Sequence, residues 1–99
     1  MNIKKEQNGN ELSIAVEGRL DTITAPELDT ELTSSLGGIE KLVFDFSNLE
    51  YISSAGLRVL LSAQKVMTKQ GGMVIRNVKP EIMEIFDVTG FVDILDIEN

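Results

Sequence analysis

The run EYISSAGLRVLL, residues 50–61, holds the side chains of this chain best suited to chemistry. Two adjacent hydroxyls, Ser53 and Ser54, stand between a strand-like stretch and an apolar helix-like stretch, and the small pair Ala55-Gly56 follows them. A serine in that position has three uses. It can cap a helix by accepting an N–H from the first turn. It can serve as a nucleophile if a neighbouring base takes its proton. It can also accept a phosphoryl group, which the free N–H groups and positive dipole end of a helix N-terminus favour. The nucleophile is the weakest of the three. The chain has no His and no Cys, so Ser-His-Asp and Cys-His catalysis are removed, and only a Lys or a carboxylate remains as base. The plain structural role is that Ser54 is the N-cap of the helix that follows. For a regulatory role, Gly56 leaves room for the backbone of another chain to approach.

Other chemistry is poorly provided for. There is no G-x-x-x-x-G-K-[ST] or G-x-G-x-x-G phosphate loop and no G-x-S-x-G elbow. Asp93, Asp96 and Glu98 lack the Gly-containing loop of a calcium site and read as a solvated acidic tail. Without His or Cys no zinc site is expected, and no cofactor is expected. Arg58, Lys65 and Lys69 recur at helical spacing and read as an exposed basic stripe.

The elements that must position this segment follow from the pattern. In residues 11–17, ELSIAVE, Leu12, Ile14 and Val16 alternate with polar neighbours, the mark of a half-buried strand. Asn8-Gly9-Asn10 before it is a turn that makes residues 2–7 the first arm of a hairpin. Gly18-Arg19-Leu20-Asp21 ends the strand. The run T-A-P-E, Thr24 to Glu27, predicts a capping box, with Ile23 and Leu28 as a hydrophobic staple. Leu28, Leu32 and Leu36 continue as one apolar stripe until Gly37-Gly38. Residues 41–46, KLVFDF, predict a strand buried on both faces, broken by Ser47-Asn48. A helix from about Ala55 to Lys69 has a narrow polar stripe of Arg58, Ser62, Lys65 and Lys69. Gly71-Gly72 closes it, Met73-Val74-Ile75 is a short strand, and Lys79-Pro80 opens a last helix that Gly90 caps. The tail FVDILDIEN is a further helical turn or an edge segment. The order β-β-α-β-α-β-α predicts an α/β fold of one domain, residues 1–99, with a mixed sheet of four to five strands and helical crossovers packed against it.

Bulk properties restrict the partners. Nine Lys and Arg against 16 Asp and Glu give a net charge of −7, which argues against nucleic acid and anionic membrane surfaces and favours a partner with basic surface. No apolar run approaches the ~20 residues of a membrane span, and MNIKKEQNGN is too polar for a signal peptide. The absence of Cys is compatible with a reducing cytoplasm, the compartment expected here.

KLVFDFSNLEYISSAGLRVLLSAQK resembles the signature of STAS domains, most closely those of bacterial anti-sigma factor antagonists. VEGRLDTITAPEL is similar to that family's G-x-L-D turn into its first helix, and VKPEIMEIFDVTGF to its third helix. The resemblance implies a binding switch and not an enzyme. The unmodified antagonist binds an anti-sigma factor that is also a serine kinase of the histidine-kinase-like ATPase type, which frees the sigma factor. Phosphorylation of one serine then releases the complex, and a PP2C-type phosphatase reverses the mark. The family pattern D-S-[ST]-G-L aligns with Ser53-Ser54-Ala55-Gly56-Leu57, so the implied phosphosite is Ser54. Here Ser53 replaces the Asp, and Ala55 replaces the Ser or Thr. Asp21 matches a family position beside the partner surface. The surface expected to bind comprises Asp21, Thr22, Ser53, Ser54, Ala55, Gly56 and Arg58. A STAS adaptor in another signalling assembly, or in a lipid-transport complex at the inner membrane, is the second function that the same fold would serve; there Ser54 is only a cap.

Overall fold

Asn8-Gly9-Asn10 turns the chain as its composition predicts, with Gly9 in the left-handed region at φ 64°. In the computed structural model, which describes residues 1–98, β1 (Asn2–Asn8) and β2 (Glu11–Leu20) form an antiparallel hairpin closed by the pair Asn8 and Glu11. Leu12, Ile14 and Val16 are buried, which the period of two demands of a strand with one face on a core. Strand β3 (Lys41–Asp45) lies parallel to β2, and β5 (Gly72–Arg76) lies parallel to β3. Leu42, Val43 and Phe44 are all buried, so β3 is covered on both faces, as expected.

Three helices carry the crossovers: α1 (Ala25–Ser35), α2 (Ser54–Gln70) and α3 (Pro80–Thr89). Their inward residues, among them Leu28, Leu32, Leu57, Leu60, Ala63, Met67, Ile82 and Phe86, join Ile14, Leu42, Phe44 and Ile75 of the strands in one core. Burying a side chain of this size contributes roughly 1.5–3 kcal/mol. Phe44 and Phe46 pack with ring centroids 5.6 Å apart at a tilt of 48°. Gly90 ends α3 in the left-handed conformation at φ 80°. Up to Glu98 the tail does both things its sequence allowed; Asn99 lies outside the described residues. Phe91–Asp93 make a single 3-10 turn, and Ile97–Glu98 pair with β5 as the edge strand β6.

Among the described residues the sheet has six strands, in the order β1-β2-β3-β5-β6. The sixth is β4 (Leu49–Ile52), parallel to the end of β2. Sequence patterning passes it over because its burial runs buried-exposed-exposed-buried, not in alternation. The cause is one extra residue on β4: Leu49 pairs with Gly18 but Tyr51 pairs with Arg19, so Glu50 is left as a bulge, the kind of irregularity that re-aims side chains at strand ends.

The start of α1 also departs from expectation. Thr24 makes no side-chain cap bond to the helix. Its hydroxyl instead accepts the Asp21 N–H at 2.9 Å and donates to the Arg19 carbonyl at 2.8 Å. Ile23 is 85% exposed while Leu28 is fully buried, so the staple is not made. Asp21 organises the turn ahead of the helix: its Oδ1 accepts from the backbone of Ile23 at 3.0 Å and Thr24 at 3.1 Å, and its carbonyl accepts the Ala25 N–H at 2.8 Å. With its hydroxyl engaged in the turn, Thr24 does not cap the helix through its side chain, and the Glu27 N–H bonds to the Thr24 carbonyl at 3.0 Å instead.

Candidate functional site

The missed strand β4 is what assembles the site. Leu20 pairs with Ile52, the last residues of β2 and β4, and the Ser53 N–H donates to the Leu20 carbonyl at 2.9 Å. The turn that begins at Asp21 and the start of α2 therefore leave the sheet side by side.

Ser53, not Ser54, is the N-cap of α2. It has extended backbone angles (φ −98°, ψ 175°), and its Oγ accepts the Gly56 N–H at 3.4 Å; its carbonyl accepts from Leu57 at 3.0 Å. The expectation that Ser54 caps the helix is corrected by one residue. Two serines in a row satisfy the cap signature equally, and the backbone bond from Ser53 to Leu20 decides between them. Ser54 is the first helical residue and is exposed. Among the described residues its hydroxyl makes no hydrogen bond, so it is not committed to the fold.

Gly56 has a different reason from the expected one. It is buried, and a Cβ there would meet the Leu20 and Ile52 side chains at 2.8 Å and the Leu20 carbonyl at 3.0 Å. The space it frees is taken by its own sheet, which lets the first turn of α2 close onto β2 and β4. Ala55 is half-buried, whereas Arg58 and Thr22 are exposed.

Asp21 is organised by its own turn. Besides the two N–H donors, its carboxylate lies 3.1 Å from the Thr24 hydroxyl and 3.7 Å from Arg19 Nε. The Thr24 N–H, ahead of the Ile23 N–H, the Thr24 hydroxyl and the Arg19 charge, holds its pKa below the ordinary 3.8 against some desolvation. Arg19 also stacks over Tyr51 of β4, 4.3 Å from the ring centroid, a cation–π contact that ties the turn to the neighbouring strand. Sequence reasoning named Asp21 but missed Arg19 and Tyr51; their cross-strand pairing depends on the unrecognised strand. The site thus presents one uncommitted hydroxyl beside a rigid, hydrogen-bonded turn. No group of three or more metal-binding side chains gathers anywhere among the described residues, and no helix there is long and apolar enough to cross a membrane.

Comparison with known proteins agrees with this architecture. The chain is similar to BtrV of Bordetella bronchiseptica, described as an anti-sigma factor antagonist, with 37% identity over 90 residues, 89% of this chain and 78% of BtrV. It is 31% identical to the anti-sigma-B factor antagonist of Bacillus subtilis over 98 residues, 98% of this chain and 90% of that protein. The fold superposes on the anti-sigma factor antagonist SpoIIAA of Bacillus in its unphosphorylated and phosphorylated forms, with TM-scores of 0.77 and 0.76 at 15% and 16% identity. Those superpositions span 99% of this chain and 88% and 92% of the SpoIIAA chains. With the STAS domain pattern matching residues 2–99, the chain belongs to the STAS domain family, alongside its anti-sigma factor antagonists.

Proposed function

We propose that this chain is an anti-sigma factor antagonist controlled by phosphorylation of Ser54. In its unmodified form it binds an anti-sigma factor that is also a serine kinase of the histidine-kinase-like ATPase type, and so frees the sigma factor. Phosphate on Ser54 ends the complex, and a PP2C-type phosphatase restores it. The observation that carries this reading is an exposed, uncommitted hydroxyl at the first position of α2, beside the Asp21 turn, in a chain 37% and 31% identical to proteins of that name. A solved structure of SpoIIAA in a phosphorylated form supports the fold's compatibility with the modification.

The physics of release is local. A phosphoryl group adds about −1.5 to −2 charges at pH 7. On this chain it stands at the positive end of α2 with Arg58 one turn further along, both favourable by a few tenths of a kcal/mol to about 1 kcal/mol. In the complex it would be desolvated against a surface shaped for a hydroxyl, at a cost of several kcal/mol. Modification therefore expels the partner without unfolding the domain. The chain acts as a single STAS unit in the cytoplasm, with no catalysis of its own. Asp21, the carboxylate on the neighbouring turn, is committed to backbone donors and is not free to act as a base for Ser54.

The test is to isolate the binding partner from the native cytosol, add ATP, and map the product by mass spectrometry. Phosphate on Ser54 with dissociation of the complex is expected. Modification on Ser53 alone, or a complex that persists once Ser54 is phosphorylated, rejects the switch.

A further inference from the structure

We infer that Ile23 is an apolar anchor that this chain inserts into the partner bound at the Ser54 surface, and that it sets the strength of that complex. The inference rests on the antagonist reading above. Ile23 is the most exposed large hydrophobic residue of the described chain at 85%, ahead of Val88 at 79%. An isolated apolar side chain on a surface needs no explanation by itself. This one is distinguished by how it is held and where.

Its internal use is refused. The staple with Leu28 that its sequence position predicts is not formed, since Leu28 is occupied in the core. Its backbone is nevertheless pinned. The Ile23 N–H bonds to Asp21 Oδ1, the Thr24 N–H bonds to the same oxygen, and the Thr24 hydroxyl ties the turn back to Arg19. The side chain is thus displayed by a rigid turn, which lowers the ordering cost of using it as a contact. Finally, the turn stands beside the uncommitted Ser54, because Leu20 bonds to Ser53 and pairs the two strand ends. A residue that contacts the partner close to the phosphorylated hydroxyl would sit near the middle of the interface, where buried anchors carry most binding energy. The matching feature on the partner is an apolar pocket next to the site that receives the Ser54 hydroxyl.

The experiment measures binding of the purified anti-sigma partner by calorimetry to the unmodified wild-type chain, Ile23→Ala, Ile23→Val and, as a control for exposed apolar surface in general, Val88→Ala. Ile23→Ala is expected to weaken binding by about ten- to a hundredfold, the range for withdrawing a fully buried aliphatic side chain. Ile23→Val should lose much less, and Val88→Ala should match wild type. Circular dichroism melts of all four should agree, since Ile23 is outside the core. Wild-type affinity in Ile23→Ala, or an equal loss in Val88→Ala, overturns the anchor while leaving the antagonist function intact. Absence of any binding by the wild-type chain refutes the antagonist reading and this inference with it.

Discussion

Ser53→Ala and Ser54→Ala should separate stability from signalling, because the two hydroxyls have been assigned different work. Ser53 caps α2 through a 3.4 Å bond from the Gly56 N–H, whereas Ser54 is exposed at the first helical position. Removing a serine N-cap costs about 0.5–2 kcal/mol. The bond is long, so the lower part of that range applies, about 0.5–1 kcal/mol. In a domain of this size 1 kcal/mol corresponds to roughly 4–8 °C in Tm, which predicts a loss of about 2–8 °C for Ser53→Ala. Ser54→Ala removes no bond and places the best helix former in the first turn, so it should stay within about 0.5 kcal/mol of wild type. Partner binding and phosphorylation should divide the other way: Ser53→Ala remains a kinase substrate, and Ser54→Ala is not modified. Thermal melts with a phosphorylation assay on the same preparations measure both. If Ser54→Ala loses as much stability as Ser53→Ala, the cap has been assigned to the wrong residue and the hydroxyl of Ser54 is not free.

Gly56→Ala should destabilise the domain by about 1–3 kcal/mol through overpacking against Leu20 and Ile52 at 2.8 Å, read as a lower urea midpoint; a neutral result would show that α2 can shift outward at no cost. Gly71→Ala should be worse, because its Cβ would run into the Glu40 backbone, with the Glu40 carbonyl carbon 2.9 Å away, and backbone cannot move aside as a side chain can. Asp21 and Asp45 should both titrate below the ordinary 3.8. At Asp21 the Thr24 N–H is the main cause; at Asp45 burial pushes upward but is outweighed by the Ser47 N–H, the Asn77 amide and the Ser47 side chain. A depressed carboxylate contributes stability that is present above its unfolded pKa and lost as pH falls through the folded one. Stability should therefore decline below about pH 3.8, and NMR titration showing either carboxyl at or above that value contradicts the hydrogen bonds described.

Several elements were determined by sequence alone because their causes are local. The hairpin follows from alternation on either side of Asn8-Gly9-Asn10, and α2 from a single apolar face interrupted every three or four residues by Arg58, Ser62 and Lys65. Gly90 as a cap follows from the need for positive φ at 80°. Ser54 as the candidate switch came from resemblance to a family motif, since no short-range physics distinguishes it from Ser53. Only the tertiary structure decided the rest. Leu49–Ile52 became a strand because the end of β2, Gly18 to Leu20, extends beyond its pairing with β1 and β3 and offered its backbone to it, an event no local pattern records. That pairing in turn delivered the Ser53 N–H to Leu20, made Ser53 the cap and left Ser54 exposed. It also turned Gly56 inward onto Leu20 and Ile52. At α1 the local T-A-P-E signature lost to the turn before it, which engages the Thr24 hydroxyl with the Asp21 N–H and the Arg19 carbonyl and holds Ile23 in solvent. Local propensity names the residues able to cap, bind or turn; long-range backbone pairing and competition for each donor select which of them does so.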